Sequence, residues 1–415
     1  MKLEIGFGST PQFVEIPDEN IMGILEPNRV EVDRTGVDAV MYALENPIGT
    51  PRLGEIVKPN EKIAIITSDI TRPFPSYVVL PLLLDELYAA GIHKKDITLV
   101  FALGSHRTHT PEEMKRLAGE RVYNEIRCVD GDPHNYVHMG ETKSGTPVDI
   151  TRVVAEADRR ICLGNIEYHY FAGYSGGAKA IMPGVSTRNA IQSNHRYMVK
   201  PGACAGRIEG NPVREDLEDA INYCSIDFIV NVVLDEHKKI IYAAAGHFIE
   251  AHRAGCRFLD LIYKKKIGSR ADIVIVSQGG APKDLNLYQT QKALDNAKHA
   301  VRKNGIVILV GSCVEGLGER VFEEWMTKSA TPQAMVQRIQ KDFQLGGHKA
   351  AAIALVLENA DIFLVSHMEP EFVKSIFMQP YKTVQDALDA ALHKSGSDAK
   401  VLVMPYGGST LPVVG

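Results

Sequence analysis

Hydrophobic residues recur along the first part of the chain in two alternating forms. Lys62-Ile63-Ala64-Ile65-Ile66-Thr67 and Ile97 to Ala102 are continuous β-branched and apolar runs, the pattern of strands buried on both faces. Between them, Ser76 to Ala90 places Leu80, Leu83, Leu84 and Leu87 at helical spacing. Each run closes in a polar loop: Ser68-Asp69-Ile70-Thr71-Arg72-Pro73 after the first, Gly104-Ser105-His106 after the second. Thr110-Pro111-Glu112-Glu113 then opens a helix, with threonine as N-cap and proline in the first turn. Leu3 to Phe7 reads as a short strand and Val37 to Leu44 as a helix. Arg160 to Gly164, Phe228 to Leu234 and Lys239 to Ala244 read as further strands, and Ile249 to Tyr263 as a helix. This strand–loop–helix alternation predicts an α/β fold with mainly parallel sheets covered by helices.

The same rhythm restarts after Tyr263. Ala271 to Val276 forms an apolar run that ends in Ser277-Gln278-Gly279-Gly280, and a helix carrying Tyr288, Gln289 and Lys292 follows. Ile306 to Gly311, Ile362 to Ser366 and Lys400 to Met404 are the later strands. A chain of 415 residues exceeds one ordinary core. Two α/β domains are therefore expected, residues 1–264 and 265–415, with the active site in the cleft between them. Lys264-Lys265-Lys266 at the junction reads as a solvated helix end. For the tail Tyr406-Gly407-Gly408-Ser409, a return to the first domain stays open.

Composition narrows the class. The chain is 45% hydrophobic and 23% charged, ordinary for a globular protein. A net charge of −5 argues against a nucleic-acid surface. Six cysteines with no CxxC pair fit a reducing compartment rather than a disulfide scaffold or a cysteine zinc site. MKLEIGFGSTPQ has no apolar signal region, and no apolar run approaches membrane-spanning length. The expected home is the cytoplasm, with no membrane partner.

Chemistry concentrates at the ends of the first domain's strands, where α/β folds place their sites. Asp69 and Arg72 follow one strand, His106 the next, and His169 the third. The third leads into Gly164–His195, which holds His169, His195, Lys179 and the small-residue run Ala172-Gly173-Tyr174-Ser175-Gly176-Gly177-Ala178. Such a loop lets backbone approach a ligand, and its N–H groups suit a phosphate-sized anion. Each residue also has a plain structural explanation: a turn cap for Asp69, a satisfied buried ring for His106, surface charge for Arg72 and Lys292. Their coincidence at several strand ends favours function. An arginine fork suits a carboxylate. Histidines exchange protons near neutral pH, and imidazole is also a ligand for nickel or zinc.

These residues carry a resemblance. Ser68–Pro73 (SDITRP), Gly104–Arg107 (GSHR), His169–Gly184 (HYFAGYSGGAKAIMPG), Asn194-His195 and Tyr288–Lys292 (YQTQK) together resemble the nickel-dependent lactate racemase family, in order and over most of the chain. The resemblance implies a 2-hydroxy acid racemase or epimerase. It also implies a covalently tethered nickel pincer nucleotide, pyridinium-3,5-bisthiocarboxylic acid mononucleotide, whose two sulfur arms hold the metal. Lys179 would form the tether and His195 would be the nickel ligand. His106 and His169 would be the acid/base pair. Asp69, Gly173, Ser175, Gly176 and Gly177 would contact the cofactor; Arg72, Tyr288, Gln289 and Lys292 would hold the substrate. The partners implied are a small 2-hydroxy acid and the enzymes that build the cofactor. Protein made in a host lacking those enzymes is expected to lack it.

The chemistry agrees. Removing the α-proton of a 2-hydroxy acid would place a carbanion beside a carboxylate, whereas removing a hydride gives a neutral ketone. No side chain accepts a hydride, so a cofactor must. One departure stands out. The family's second domain has a tryptophan lining the substrate space, and the corresponding Gln344-Leu345-Gly346-Gly347-His348 has none. That predicts open room and a bulkier or more polar substrate than lactate. Two other classes compete: a zinc-dependent phosphate-binding hydrolase or transferase using His106, His169 and His195, and a non-catalytic hydroxy acid binder. The first lacks the close HxH or HExxH spacing usual in zinc hydrolases.

Overall fold

The computed structural model describes residues 1–415 as two compact units, Val30–Leu261 and a second made of Met1–Arg29 with Ile262–Gly415. In Val30–Leu261 a six-stranded sheet runs in the order Ile240–Gly246, Phe228–Leu234, Arg159–Asn165, Ile63–Ser68, Ile97–Ala102, Arg127–Asp130. Only the pairing of Phe228–Leu234 with Ile240–Gly246 is antiparallel. The inner strands are buried on both faces, as their unbroken apolar runs require. Leu80, Leu83, Leu84 and Leu87 of helix Ser76–Ala89 pack with Ile63, Ile65, Leu99 and Phe101 of the sheet. Helix Pro111–Ala118 starts in a capping box, Thr110 accepting from the Glu113 amide while the Glu113 carboxylate reaches back.

The second unit has a six-stranded, wholly parallel sheet: Gln379–Tyr381, Ala360–Val365, Val301–Val310, Ala271–Ser277, Val401–Met404, Ile21–Ile24. Its outer strand corrects the expected boundary, because Met1–Arg29 belongs here and not with residues up to 264. Ile21–Ile24 extends the sheet beside Val401–Met404, and Ile5, Phe7, Val14 and Ile16 from the hairpin before it enter the same core as Val401 and Val403. Burying those four side chains is worth about 1.5–3 kcal/mol each, which ties the N-terminus to this unit. The lysine run is also not a helix end. Lys264–Ile267 is a strand paired in parallel with Leu411–Val414, so the tail closes on its own unit. A half-buried two-stranded ribbon tolerates lysines, whose stems pack while their ammonium groups reach water.

Candidate active site

Parallel register brings three strand ends of Val30–Leu261 to one edge: Ser68 lies opposite Ala102, and Ile66 opposite Cys162. The loops leaving that edge carry Asp69–Arg72, His106 and His169. Asp69 is buried, and its Oδ2 accepts from His106 Nδ1 at 2.7 Å. The Thr71 hydroxyl donates to Asp69 Oδ1 at 2.9 Å. Burial opposes ionisation of Asp69, but the His106 hydrogen bond and charge, with Arg72 and Thr71, hold its carboxyl below the ordinary range. An ionised carboxylate only accepts, so Nδ1 of His106 carries a proton, and whenever the ring has a single proton the lone pair lies on Nε2. His106 is thus oriented as a base.

His169 lies on the short strand Tyr168–His169, whose antiparallel partner is Gly173-Tyr174. Burial, then the charges of Lys179, Arg72, His195 and Arg214, push its pKa well below the usual histidine range. The ring is therefore neutral at neutral pH. Its Nδ1 accepts from the Ala172 amide at 3.2 Å, so the neutral ring presents Nε2–H. The two histidines differ: one presents a lone pair, the other a donor.

The loop after His169 depends on glycine at specific places. Gly173 has φ 78°, and a side chain there would meet the Arg207 carbonyl; at Gly176, φ 76°, it would meet Asn231 Oδ1 at 2.7 Å. The loop's amides are partly spent on its own shape. The Ser175 amide donates to Glu167 O at 2.9 Å, the Ser175 hydroxyl to Asn165 O at 2.7 Å, and the Gly177 amide to Asn231 Oδ1 at 2.9 Å. Those two amides are not an open phosphate cradle. Ser175 and Gly177 instead set the conformation that places Lys179 in the turn Gly177–Ala180.

Burial, then the charges of Arg214 and Arg72, pulls the Lys179 pKa well below its ordinary value. A lysine whose pKa is lowered in this way is more readily deprotonated, and its neutral amine is a nucleophile. His195 ends helix Arg188–His195, buried, with Nδ1 3.0 Å from Asn194 Oδ1 and its ring edge-on to Phe171.

Sequence reasoning missed the residues that hold these groups. Arg214 is fully buried; its Nε donates to Ala172 O at 3.1 Å, and its Nη2 to Tyr174 O. His252, also fully buried, reaches Ser175 O through Nε2 at 2.8 Å. Asn231 had a legible signal, being one amide inside the apolar run Phe228–Leu234, where a buried polar group requires a partner. His109 Nδ1 pairs with Asp130 at 2.6 Å, and its Nε2 accepts from the Ile70 amide at 3.0 Å, fixing the loop of Asp69 and Arg72.

In the second unit, helix Leu287–Ala297 is capped by Asn286, whose oxygen accepts from the Gln289 amide at 3.0 Å. Gln289 and Lys292 are exposed on it, and Tyr288 is half-buried under the Lys349 ammonium, 3.9 Å from its ring centroid. The expected room beside Gly347 is not there. Trp325 is fully buried, and a side chain added at Gly347 would lie 2.5 Å from its indole. Trp325 Nε1 donates to Gln344 Oε1 at 3.3 Å, and Arg338 stacks on the indole. An indole from an earlier helix, Arg320–Lys328, fills the space over these glycines.

No three or more His, Cys, Asp or Glu side chains are gathered to hold a metal ion. His106, His169 and His195 thus form no protein-only ligand set of the kind a zinc hydrolase needs. No helix is long and apolar enough to cross a membrane.

Residues 7–206 match the sequence family described as the lactate racemase N-terminal domain, and residues 267–412 the lactate racemase C-terminal domain. A lactate racemase of Thermoanaerobacterium thermosaccharolyticum is 37% identical over 421 aligned residues, covering 99% of this chain and 98% of that one. A lactate racemase of Lactiplantibacillus plantarum is 32% identical, covering 95% of each. The solved lactate racemase apoprotein from Thermoanaerobacterium thermosaccharolyticum superposes with a TM-score of 0.90 at 35% identity, over 99% of this chain and 100% of that one. A Thermotoga maritima protein of known structure shares the fold at TM-score 0.62 and 16% identity, over 91% and 97% of the two chains. With both family domains matched in order and near-complete coverage by relatives above 30% identity, the chain belongs to the lactate racemase family, a family of isomerases.

Proposed function

We propose that this chain racemises lactate, or a 2-hydroxy acid close to it in size, in the cytoplasm, with a nickel pincer nucleotide tethered at Lys179. The observation that carries this reading is the donor set around the glycine loop. It combines a lysine amine whose pKa is pulled well below its ordinary value with one buried histidine, His195, following the loop, and no cluster of protein metal ligands. A cofactor bringing its own sulfur donors needs one protein ligand and one nucleophilic anchor, so the residues fit it. When bound, that group supplies the hydride acceptor that side chains lack.

The chain's own residues do the rest. Arg72 is suited to the substrate carboxylate through charge-assisted hydrogen bonds, and so are Gln289 and Lys292. Tyr288 precedes Gln289 on its helix, with the Lys349 ammonium over its ring. His106 takes the hydroxyl proton at Nε2, and Asp69 stabilises the imidazolium that results. His169 serves the other enantiomer. Its neutral form gives a hydrogen bond from Nε2, and taking up a proton there requires Nδ1 to carry the proton and release the Ala172 amide. Retention of the keto acid between the two transfers falls to the carboxylate clamp. Because Trp325 fills the space over Gly347, the case for a bulky substrate falls away and lactate takes its place.

The deciding experiment is racemisation by protein co-expressed with the cofactor-building enzymes, across lactate, malate, 2-hydroxyglutarate and phenyllactate. Lactate is expected to give the highest kcat/KM. No racemisation of any of these by fully loaded protein would overturn the reading.

A further inference from the structure

We propose that Asn194 is a positioning residue that fixes the tautomer of His195 and so presents Nε2 as the metal-binding nitrogen. The inference rests on the reading of His195 as the nickel ligand. Asn194 is fully buried. Its amide nitrogen faces two acceptors, Val213 O at 3.1 Å and Asp216 Oδ2 at 2.8 Å. A backbone carbonyl never donates, so a flipped amide would set oxygen against oxygen at both contacts. The amide oxygen is thereby directed at His195 Nδ1, 3.0 Å away. An oxygen of this kind only accepts, so Nδ1 carries the proton and the lone pair lies on Nε2. Ligation by a neutral imidazole needs that lone pair, set by the bond the other nitrogen makes.

The polarity is enforced further back. Asp216 is buried and receives the Thr142 hydroxyl on Oδ1 at 2.5 Å and the Thr146 hydroxyl on Oδ2 at 2.7 Å. Thr142 Oγ1 accepts from the Thr146 amide at 3.0 Å, so its own proton is directed to Asp216. The carboxylate is an acceptor throughout and can only take the amide protons of Asn194. A one-way chain therefore runs from the Thr142–Thr146 turn through Asp216 and Asn194 to the ring. Phe171, edge-on at 4.9 Å between centroids, fixes the ring plane. Asn194 precedes the ligand in sequence, yet its role depends on a contact with helix Pro212–Asp219, which no local pattern reveals.

The test uses the full chain without cofactor, labelled with nitrogen-15 histidine and held above the ordinary histidine titration range. Long-range proton–nitrogen correlation spectra distinguish the two neutral tautomers, and the His195 signals are those lost in His195→Gln. The wild type should show one tautomer, protonated at Nδ1. Asn194→Leu, of similar volume but without the acceptor, should move the ring toward protonation at Nε2. Co-expressed with the cofactor-building enzymes, it should hold nickel about 10–100-fold more weakly. Asn194→Asp, able to share a proton with Asp216 and still accept from the ring, should keep the wild-type tautomer. Protonation at Nε2 in the wild type, or an unchanged tautomer in Asn194→Leu, would overturn the proposal. If Asn194→Leu does not fold, the wild-type and Asn194→Asp spectra decide. Wild-type nickel retention by His195→Gln would instead sink the reading of His195 as ligand, while the tautomer result stands.

Discussion

The two units place their polar groups in opposite ways. In Val30–Leu261 the reactive side chains are backed by buried polar residues: Asp69 behind His106, Arg214 and His252 beneath the glycine loop, Asn194 and Asp216 behind His195. In the other unit, Gln289 and Lys292 stand exposed on a helix over a wholly parallel sheet. The difference fits the roles proposed for these groups. A base, a tethering amine or a metal ligand needs one protonation state and one tautomer, and fixed partners at low dielectric set both. A group that only holds a carboxylate needs a hydrogen-bond donor with reach, which an exposed lysine ammonium or glutamine amide supplies.

The largest effects should come from the backed groups. Lys179→Ala is expected to abolish covalent attachment outright, seen as loss of the adduct in intact-mass spectra. An unchanged adduct mass would remove Lys179 from the tether role. His195→Ala should strip nickel from co-expressed protein, as metal analysis would show.

Next come the histidines. His106→Ala and His169→Ala should each lower steady-state racemisation about 10²–10⁴-fold, the usual loss of a general acid or base. The rings differ in what they present, so glutamine should not treat them alike. His169→Gln keeps a donor and should recover part of the loss, whereas His106→Gln offers no base and should not. Near-normal turnover in either alanine variant would end the two-histidine scheme, and equal behaviour of the glutamine variants would erase the asymmetry.

Smaller effects are expected from the exposed helix. Gln289→Ala and Lys292→Ala each delete a charge-assisted hydrogen bond worth about 1.5–3 kcal/mol, a loss of roughly 10–100-fold in kcat/KM. Nickel content should stay at the wild-type level. Loss of cofactor in either variant would mean that the division between holding substrate and holding cofactor is drawn in the wrong place.

That division also explains what the sequence makes visible. Strand runs such as Ile97–Ala102 and Phe228–Leu234 coincide with the observed strands, because burial on both faces leaves no other pattern. The lysine strand Lys264–Ile267 and the edge strand Ile21–Ile24 were not legible, since partners distant in sequence, Leu411–Val414 and Val401–Met404, create them. The same holds at the site. Asp69, His106 and Lys179 stand out by type and motif. Arg214, His109 and Asp216 act through contacts far along the chain. Gly346-Gly347 was read as a void because the filling indole comes from Trp325, on another helix.

The smallest effect tests whether burial beneath the glycine loop has a thermodynamic signature. Burial, then the charges of Arg214 and Arg253, holds the His252 pKa well below the ordinary value. Above about pH 6.5 the ring is neutral both folded and unfolded, and it adds no pH dependence. Below that, the unfolded chain takes up a proton that the folded chain refuses. Stability therefore falls as the pH falls, by about 1.4 kcal/mol per pH unit, until the folded value is reached. His252→Gln keeps a donor for Ser175 O and has no proton to gain. It should lose stability less steeply between neutral and mildly acidic pH, whatever its absolute stability, because the packing change against Gly177 is the same at every pH. Urea unfolding of both proteins across that range measures the two slopes. His169 contributes to the wild-type slope with the same sign, so the variant should be shallower but not flat. Equal slopes would mean that the space under the loop admits water in the folded state and that His252 is not desolvated there.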